Sequence, residues 1–196
     1  MILSTENKTK ILLIIGLPGS GKTNLIKNIK TIIDDVIVYD DWGKWTFNGL
    51  DRTKFQSDVN IEKLNEDINK KNTIIISCVG FCDSNYLNNA KEYLIRISEN
   101  IEISHVFFEN DVQKCVDNVI KRDMLDGAYF EEVENGYIYV GDHTFNYETN
   151  EHERKFENEI NKIKKLSKIY TVPDNHVPLE IKTENIKISS MYEPFK

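Results

Sequence analysis

The chain has 196 residues, 40% of them hydrophobic, with a formal net charge of −7. That length suits one α/β domain able to bury on the order of 70% of its unfolded surface, and the acidic balance excludes a protein that coats nucleic acid with its whole surface. No apolar run approaches the roughly 20 residues of a membrane span.

The first residues, Met1 to Lys8, lack the basic segment and apolar core of a secretory signal. Cys78, Cys82 and Cys115 match no metal-ligand or redox spacing, so buried or semi-buried free thiols and a reduced, cytoplasmic setting are expected. His105, His143, His152 and His176 show no metal spacing either, and His105 reads as a core or boundary residue of a strand.

Taken in order, Lys10 to Ile15 is a short apolar, β-branched run that reads as a buried strand. Gly16-Leu17-Pro18-Gly19-Ser20-Gly21-Lys22-Thr23 follows, and residues 22–33 carry apolar side chains at helical spacing. Strand, glycine-rich turn and helix start together fit G-x-x-x-x-G-K-[ST] in the setting a phosphate-binding loop requires. The glycines let backbone N–H groups point inward, and the helix N-terminus adds partial positive charge. Lys22 can then reach the β/γ-phosphates of a nucleoside triphosphate, and the Thr23 hydroxyl can ligate Mg²⁺.

Val36 to Tyr39 reads as a second strand ending in Asp40-Asp41. Residues 42–58 form an aromatic, polar stretch read as a loop over the sheet, and residues 59–71 a helix. Thr73 to Val79 is the most hydrophobic strand and is expected at the centre of the sheet. A helix starts at Asp83-Ser84, a fourth strand runs from Glu102 to Phe108, and Val112 to Met124 is a helix. Tyr137 to Asp142 reads as a short strand or hairpin, Glu151 to Lys165 as a charged helix and Ile169 to Val172 as a further strand. Leu179 to Ser189 reads as an edge strand or hairpin. The alternation points to a doubly wound, mostly parallel sheet, and no repeat, low-complexity tract or linker divides residues 1–196.

Asp40 stands eighteen residues after Lys22 at the carboxyl end of a neighbouring strand, where ligands bind in open α/β sheets. A carboxylate there can take the proton of a hydroxyl attacking the γ-phosphate. Arg122, near the end of the helix after the fourth strand, can neutralise charge on the transferring group, whereas Lys114 reads as a solvated helix residue. Trp42, Trp45 and Phe47 follow the acidic pair and offer aromatic faces to a base or sugar, or else latch the loop to the sheet.

On these residues the chain resembles the P-loop kinases, and within them the polynucleotide kinase group with its phage and zeta-toxin relatives. The matching pieces are Gly16 to Thr23, Asp40-Asp41, the Ile74-Ile75-Ile76 strand, and His105 to Val112 followed by Val119 to Arg122. The resemblance implies a nucleotide kinase-like P-loop NTPase fold: a three-layer sandwich with a lid over about residues 113–136 and a C-terminal helix and strands over 137–196. It implies ATP and Mg²⁺ as cofactors, Asp40 as base and Arg122 as lid arginine. The acceptor would be a hydroxyl of a nucleotide, a nucleic acid (a 5′ end or a modified base) or a similar small molecule. Asp41, Trp42 and Trp45 are the substrate-side candidates. The chain departs from relatives acting on 5′ ends in having Ser77-Cys78-Val79-Gly80 where an Asp-Thr-Asn-like run is usual, and Met124 and Asp126 where a second lid arginine is usual. Two other readings stay open: a P-loop NTP hydrolase or switch, and a degenerate nucleotide-binding module.

Overall fold

The computed structural model describes residues 8–40, 61–70, 73–125, 129–133, 136–140 and 151–182. The expected loop over 42–58, the candidates Asp41, Trp42 and Trp45, and the stretch from 183 onward lie outside those residues.

Four strands form one all-parallel sheet: β1 (Thr9–Ile15), β2 (Val36–Tyr39), β3 (Thr73–Ser77) and β4 (Ile101–Phe107), in the order β2-β3-β1-β4. Helices α1 (Lys22–Lys30), α2 (Ile61–Asn69) and α3 (Ser84–Ile97) connect them, and α4 (Val112–Leu125) follows β4. The result is a mixed α/β fold, a parallel sheet flanked by helices, which is compatible with nucleotide binding at its carboxyl edge.

The strands form where continuous β-branched and leucine runs can be covered on both faces. Ile11, Leu13, Ile14 and Ile15 of β1 and Ile74, Ile75 and Ile76 of β3 are buried, and β3 is interior, as its composition leads one to expect. The helices close over them through Leu64 and Ile68 of α2, Leu87, Ala90 and Leu94 of α3, and Cys115, Val119 and Ile120 of α4. Two side chains fix which face is which. Thr9 donates its hydroxyl to the Ile68 carbonyl at 2.6 Å, and Tyr39 donates to Asp67 Oδ2 at 2.7 Å. Both bonds run to α2, so the odd residues of β1 and the Tyr39 side of β2 face that helix.

Beyond α4, β5 (Tyr129–Val133) and β6 (Gly136–Val140) pair antiparallel. The expected strand or hairpin at Tyr137 is therefore a hairpin, whose first arm the apolar pattern does not announce. Helix α5 (Glu151–Ser167) follows.

The expected strand at Ile169 to Val172 is not formed. The amides of Ile169 and Tyr170 turn back to the Leu166 carbonyl, at 3.0 and 2.9 Å, and the Tyr170 carbonyl accepts Asn110 Nδ2 at 3.0 Å. With those groups committed and Pro173 lacking an N–H, no ladder can start there. The sheet is extended later instead, where Leu179 bridges Phe108 in parallel. Its amide donates to Phe107 and its carbonyl accepts from Glu109.

Candidate functional site

The loop from Gly16 to Gly21 joins the end of β1 to the start of α1, and its shape depends on glycine at two positions. Gly19 (φ 79°) and Gly21 (φ 97°) are left-handed, a region that costs other residues about 1–2 kcal/mol. Gly19 also lies against α4: a Cβ there would meet the Cys115 carbonyl oxygen at 2.2 Å. Gly16 is crowded as well, with Ser20 Oγ 2.6 Å and Phe108 Cβ 3.0 Å from where its Cβ would be. The Ser20 amide closes the turn on the Leu17 carbonyl at 3.1 Å, and Asn118 of α4 donates Nδ2 to the Gly19 carbonyl at 2.9 Å. The same Asn118 nitrogen reaches the Lys182 carbonyl at 3.3 Å, tying loop, α4 and C-terminal segment together.

Gly21 caps α1 without a side chain, and the first turn holds no acidic residue. The helix thus opens with backbone N–H groups that no capping side chain accepts, the arrangement that attracts anions. Lys22 stands at the first helical position, where a cation opposes the macrodipole. Its ammonium is held by the carbonyls of Gly16 and Leu17, both at 2.8 Å, so its charge sits over the loop. On the other side Thr23 Oγ1 lies 3.4 Å from Asp40 Oδ2, at the outer limit of a hydrogen bond. The residues read from the sequence as phosphate loop, metal ligand and base are brought to one edge of the sheet.

Arg122 stands elsewhere on the same helix face that touches the loop. Cys115, Asn118, Val119 and Arg122 follow i, i+3, i+4, i+7 spacing, and the first three contact Gly19. One turn beyond them, the Arg122 guanidinium pairs with Glu159 of α5 at 3.0 Å. Lys114 is absorbed by structure, bonded to Glu109 at 2.6 Å with Asp111 and Glu180 nearby. Glu109 in turn accepts the Ile181 amide at 2.9 Å, and these bonds hold its carboxyl below the usual range.

All three cysteines are free and buried, as expected. Burial pushes the Cys82 and Cys115 thiols up to about 12, which leaves them neutral and unsuited to nucleophilic work. Lys22 and the backbone of Gly16 pull the other way without reversing this. His105 packs against Phe107 and His176, with ring centroids 6.1 and 6.2 Å away. Burial, the Lys91 ammonium and His176 lower it to about 4.

Among the described residues no group of three or more His, Cys, Asp or Glu is placed to hold a metal ion. A divalent ion brought with a nucleotide would find Thr23 and Asp40 on one side. Two buried hydroxyls without partners among the described residues, Ser20 Oγ and Ser77 Oγ, also belong to this edge. The oxygen-only donor set suits Mg²⁺, which keeps most of its water. Asn118 and Ser77 have no signature in the sequence; a helical Asn and a strand-end Ser become notable only through what they face.

No family model matches the chain, and no curated protein matches it. Among solved structures it is similar to a chain of the Pnkp1/Rnl/Hen1 RNA repair complex, at 13% identity and a TM-score of 0.47. The match covers 86% of this chain and 48% of that one, so this chain spans about half the length of that neighbour. Among the described residues no helix is long and apolar enough to cross a membrane.

Proposed function

We propose that the protein is an ATP- and Mg²⁺-dependent kinase that phosphorylates a hydroxyl of a nucleotide, a nucleic acid or a similar small molecule, in a cytoplasmic setting. The observation that carries this reading is the convergence of Lys22, Thr23 and Asp40 on one left-handed, glycine-built loop at the carboxyl edge of a parallel sheet.

In this reading the loop amides from Gly16 to Thr23 cradle the phosphates, and Lys22 exchanges two backbone carbonyls for β/γ-phosphate oxygens. Thr23 would hold Mg²⁺, which offsets charge on those oxygens. Asp40 accepts the proton of the acceptor hydroxyl as its oxygen bonds to the γ-phosphorus and the bond to the β-phosphate oxygen breaks. Arg122 serves the transferred group once it leaves Glu159. Asp41, Trp42 and Trp45 are proposed on the acceptor side.

The test is transfer of labelled γ-phosphate to a panel of 5′-hydroxyl DNA and RNA, nucleosides, nucleotides and hydroxymethyl-containing DNA. Transfer to one acceptor, lost in Lys22→Ala and Asp40→Asn, is the expected result. Free phosphate with no labelled acceptor, unchanged in Asp40→Asn, would replace the kinase with a hydrolase or switch.

A further inference from the structure

The peptide that joins Gly19 to Ser20 is pinned at both ends. Its N–H donates to the Leu17 carbonyl at 3.1 Å, closing the turn, and its carbonyl accepts Asn118 Nδ2 at 2.9 Å. The two groups of a trans peptide point in opposite directions, so the carbonyl is turned out toward α4 and the N–H in toward the loop.

Glycine itself does not hold the peptide that way round. Gly19 sits at φ 79°, and glycine adopts positive and negative φ about equally readily. A half-turn of this peptide would carry the Gly19 carbonyl inward, toward the Leu17 carbonyl on which the Lys22 ammonium rests at 2.8 Å. An inward carbonyl brings partial negative charge into a concavity that suits anions only through its inward N–H groups. It also gives Lys22 one more oxygen to leave. The outward orientation is the one a phosphate needs.

Asn118 supplies the hold that glycine lacks. It stands half-buried within α4, where asparagine is a poorer helix former than alanine, so its place there is not explained by the helix. Two carbonyl partners require the carboxamide nitrogen at this position, and its two N–H groups match them: Gly19 at 2.9 Å and Lys182 at 3.3 Å. Lys182 follows a segment laid against the frame of the site. The Leu179 amide donates to Phe107, its carbonyl accepts from Glu109, and the Ile181 amide donates to Glu109 Oε1 at 2.9 Å. One side chain thus meets both the loop peptide and the docked segment.

We propose that Asn118 is a positioning residue. It locks the Gly19–Ser20 peptide with the carbonyl out of the phosphate cradle, and through its second N–H it makes phosphate binding and the docking of residues 179–182 one coupled equilibrium. This rests on the phosphate-loop reading above. Such coupling is reciprocal: a phosphate on the loop tightens the segment by the factor with which the segment tightens the loop.

The experiment measures calorimetric binding of ATP and of tripolyphosphate, which carries the phosphates alone, in Mg²⁺ buffer. The chains are the wild type, Asn118→Ala, and Asn118→Leu, which keeps the branched shape and cannot donate. Amide hydrogen exchange at Leu179 and Ile181 is followed with and without each ligand, and urea unfolding reports whether each chain is folded. Both variants should bind both ligands about 5- to 10-fold more weakly, by the same factor for each. Either ligand should slow exchange at Leu179 and Ile181 in the wild type and in neither variant. Wild-type affinity in a folded variant overturns the lock. So does weakening of ATP without weakening of tripolyphosphate, which would assign Asn118 to the nucleoside. Exchange that ligand slows in the variants as it does in the wild type overturns the coupling. Glu109→Ala frees the Ile181 amide without touching Asn118, and it carries the test if both Asn118 variants unfold. Tripolyphosphate binding about 2- to 3-fold weaker in that variant supports the proposal, and wild-type affinity overturns it. A wild-type chain that binds neither ligand overturns the phosphate-loop reading, an outcome separate from all of these.

Discussion

Replacing Gly19 by alanine tests how tightly α4 clasps the loop. Two costs add. Holding alanine at φ 79° costs about 1–2 kcal/mol. The new methyl must also displace the Cys115 carbonyl oxygen, 2.2 Å away, with Val119 Cγ2 at 3.0 Å beside it. Overpacking of that kind costs about 1–3 kcal/mol, for a total of about 2–5 kcal/mol. Gly21→Ala is the internal control: its φ of 97° carries the same kind of strain, but the nearest atom to its Cβ is 3.9 Å away. For a chain this size each kcal/mol moves the melting midpoint by about 2–4 °C. Gly19→Ala should therefore melt on the order of 10 °C below the wild type, and Gly21→Ala about 3–6 °C below. Adding Val119→Ala should not restore Gly19→Ala, because the closest atom is backbone. Equal melting of the two glycine variants, or rescue by Val119→Ala, would refute the claim that α4 backbone fixes the loop.

Tyr170 donates its hydroxyl to the Phe108 carbonyl and approaches that of Ile15, both at the carboxyl edge. Tyr170→Phe should cost about 1–3 kcal/mol in urea unfolding by stranding a buried carbonyl; a change below about 0.5 kcal/mol would show that the bond is dispensable. Because His105 is lowered to about 4 from 6.5, the unfolded chain binds the extra proton below pH 6.5. Stability then falls as pH drops through the 6.5-to-4 window, by about 1–2 kcal/mol between pH 7 and pH 5. His105→Leu should flatten that slope, and an unchanged slope would assign the acid sensitivity to other groups. Lys22→Ala should weaken ATP binding at least tenfold, the loss of about 1.4 kcal/mol or more from a charge-assisted contact. Asp40→Asn should leave ATP binding in EDTA within about threefold while abolishing transfer, and intact transfer would remove Asp40 as base.

The parallel sheet was legible because buried parallel strands are written as unbroken apolar runs. Val36 to Tyr39 has the ends its sequence leads one to expect, and the expected strand from Thr73 to Val79 overshoots the observed Thr73–Ser77 by two residues. Ile169 to Val172 is written the same way yet forms no strand, since its polar backbone groups go to Leu166 and Asn110. The edge strand or hairpin expected from Leu179 to Ser189 meets the sheet at its first residue, where Leu179 bridges Phe108, and from 183 onward it lies outside the described residues. The first arm of the hairpin, Tyr129–Val133, contains Glu131-Glu132, which breaks the alternation; the Asn135-Gly136 dipeptide after it was the usable sign. At the site, glycines and Lys22 announce themselves because few other uses call for that spacing. Asn118 and Ser77 do not, since each type has ordinary places on helices and strand ends.

The chain after α4 does more than finish the sheet. Residues 167–182 touch the site's frame at separate points: Tyr170 on the carbonyls that end β1 and β4, Leu179 on Phe107 and Glu109, Ile181 on Glu109, and Lys182 on Asn118. Asn110 returns the contact by donating to both Ser167 and Tyr170. A left-handed, glycine-rich loop is entropically expensive to hold in one shape. Here its Gly19 carbonyl is fixed by an Asn that is itself fixed to the C-terminal segment, so the loop is preorganised by contacts from more than sixty residues away in sequence. Preorganised amides lose little freedom on meeting a phosphate, and that lowers the cost of binding. Loosening the 167–182 segment should therefore weaken nucleotide binding even though no side chain of the loop has changed.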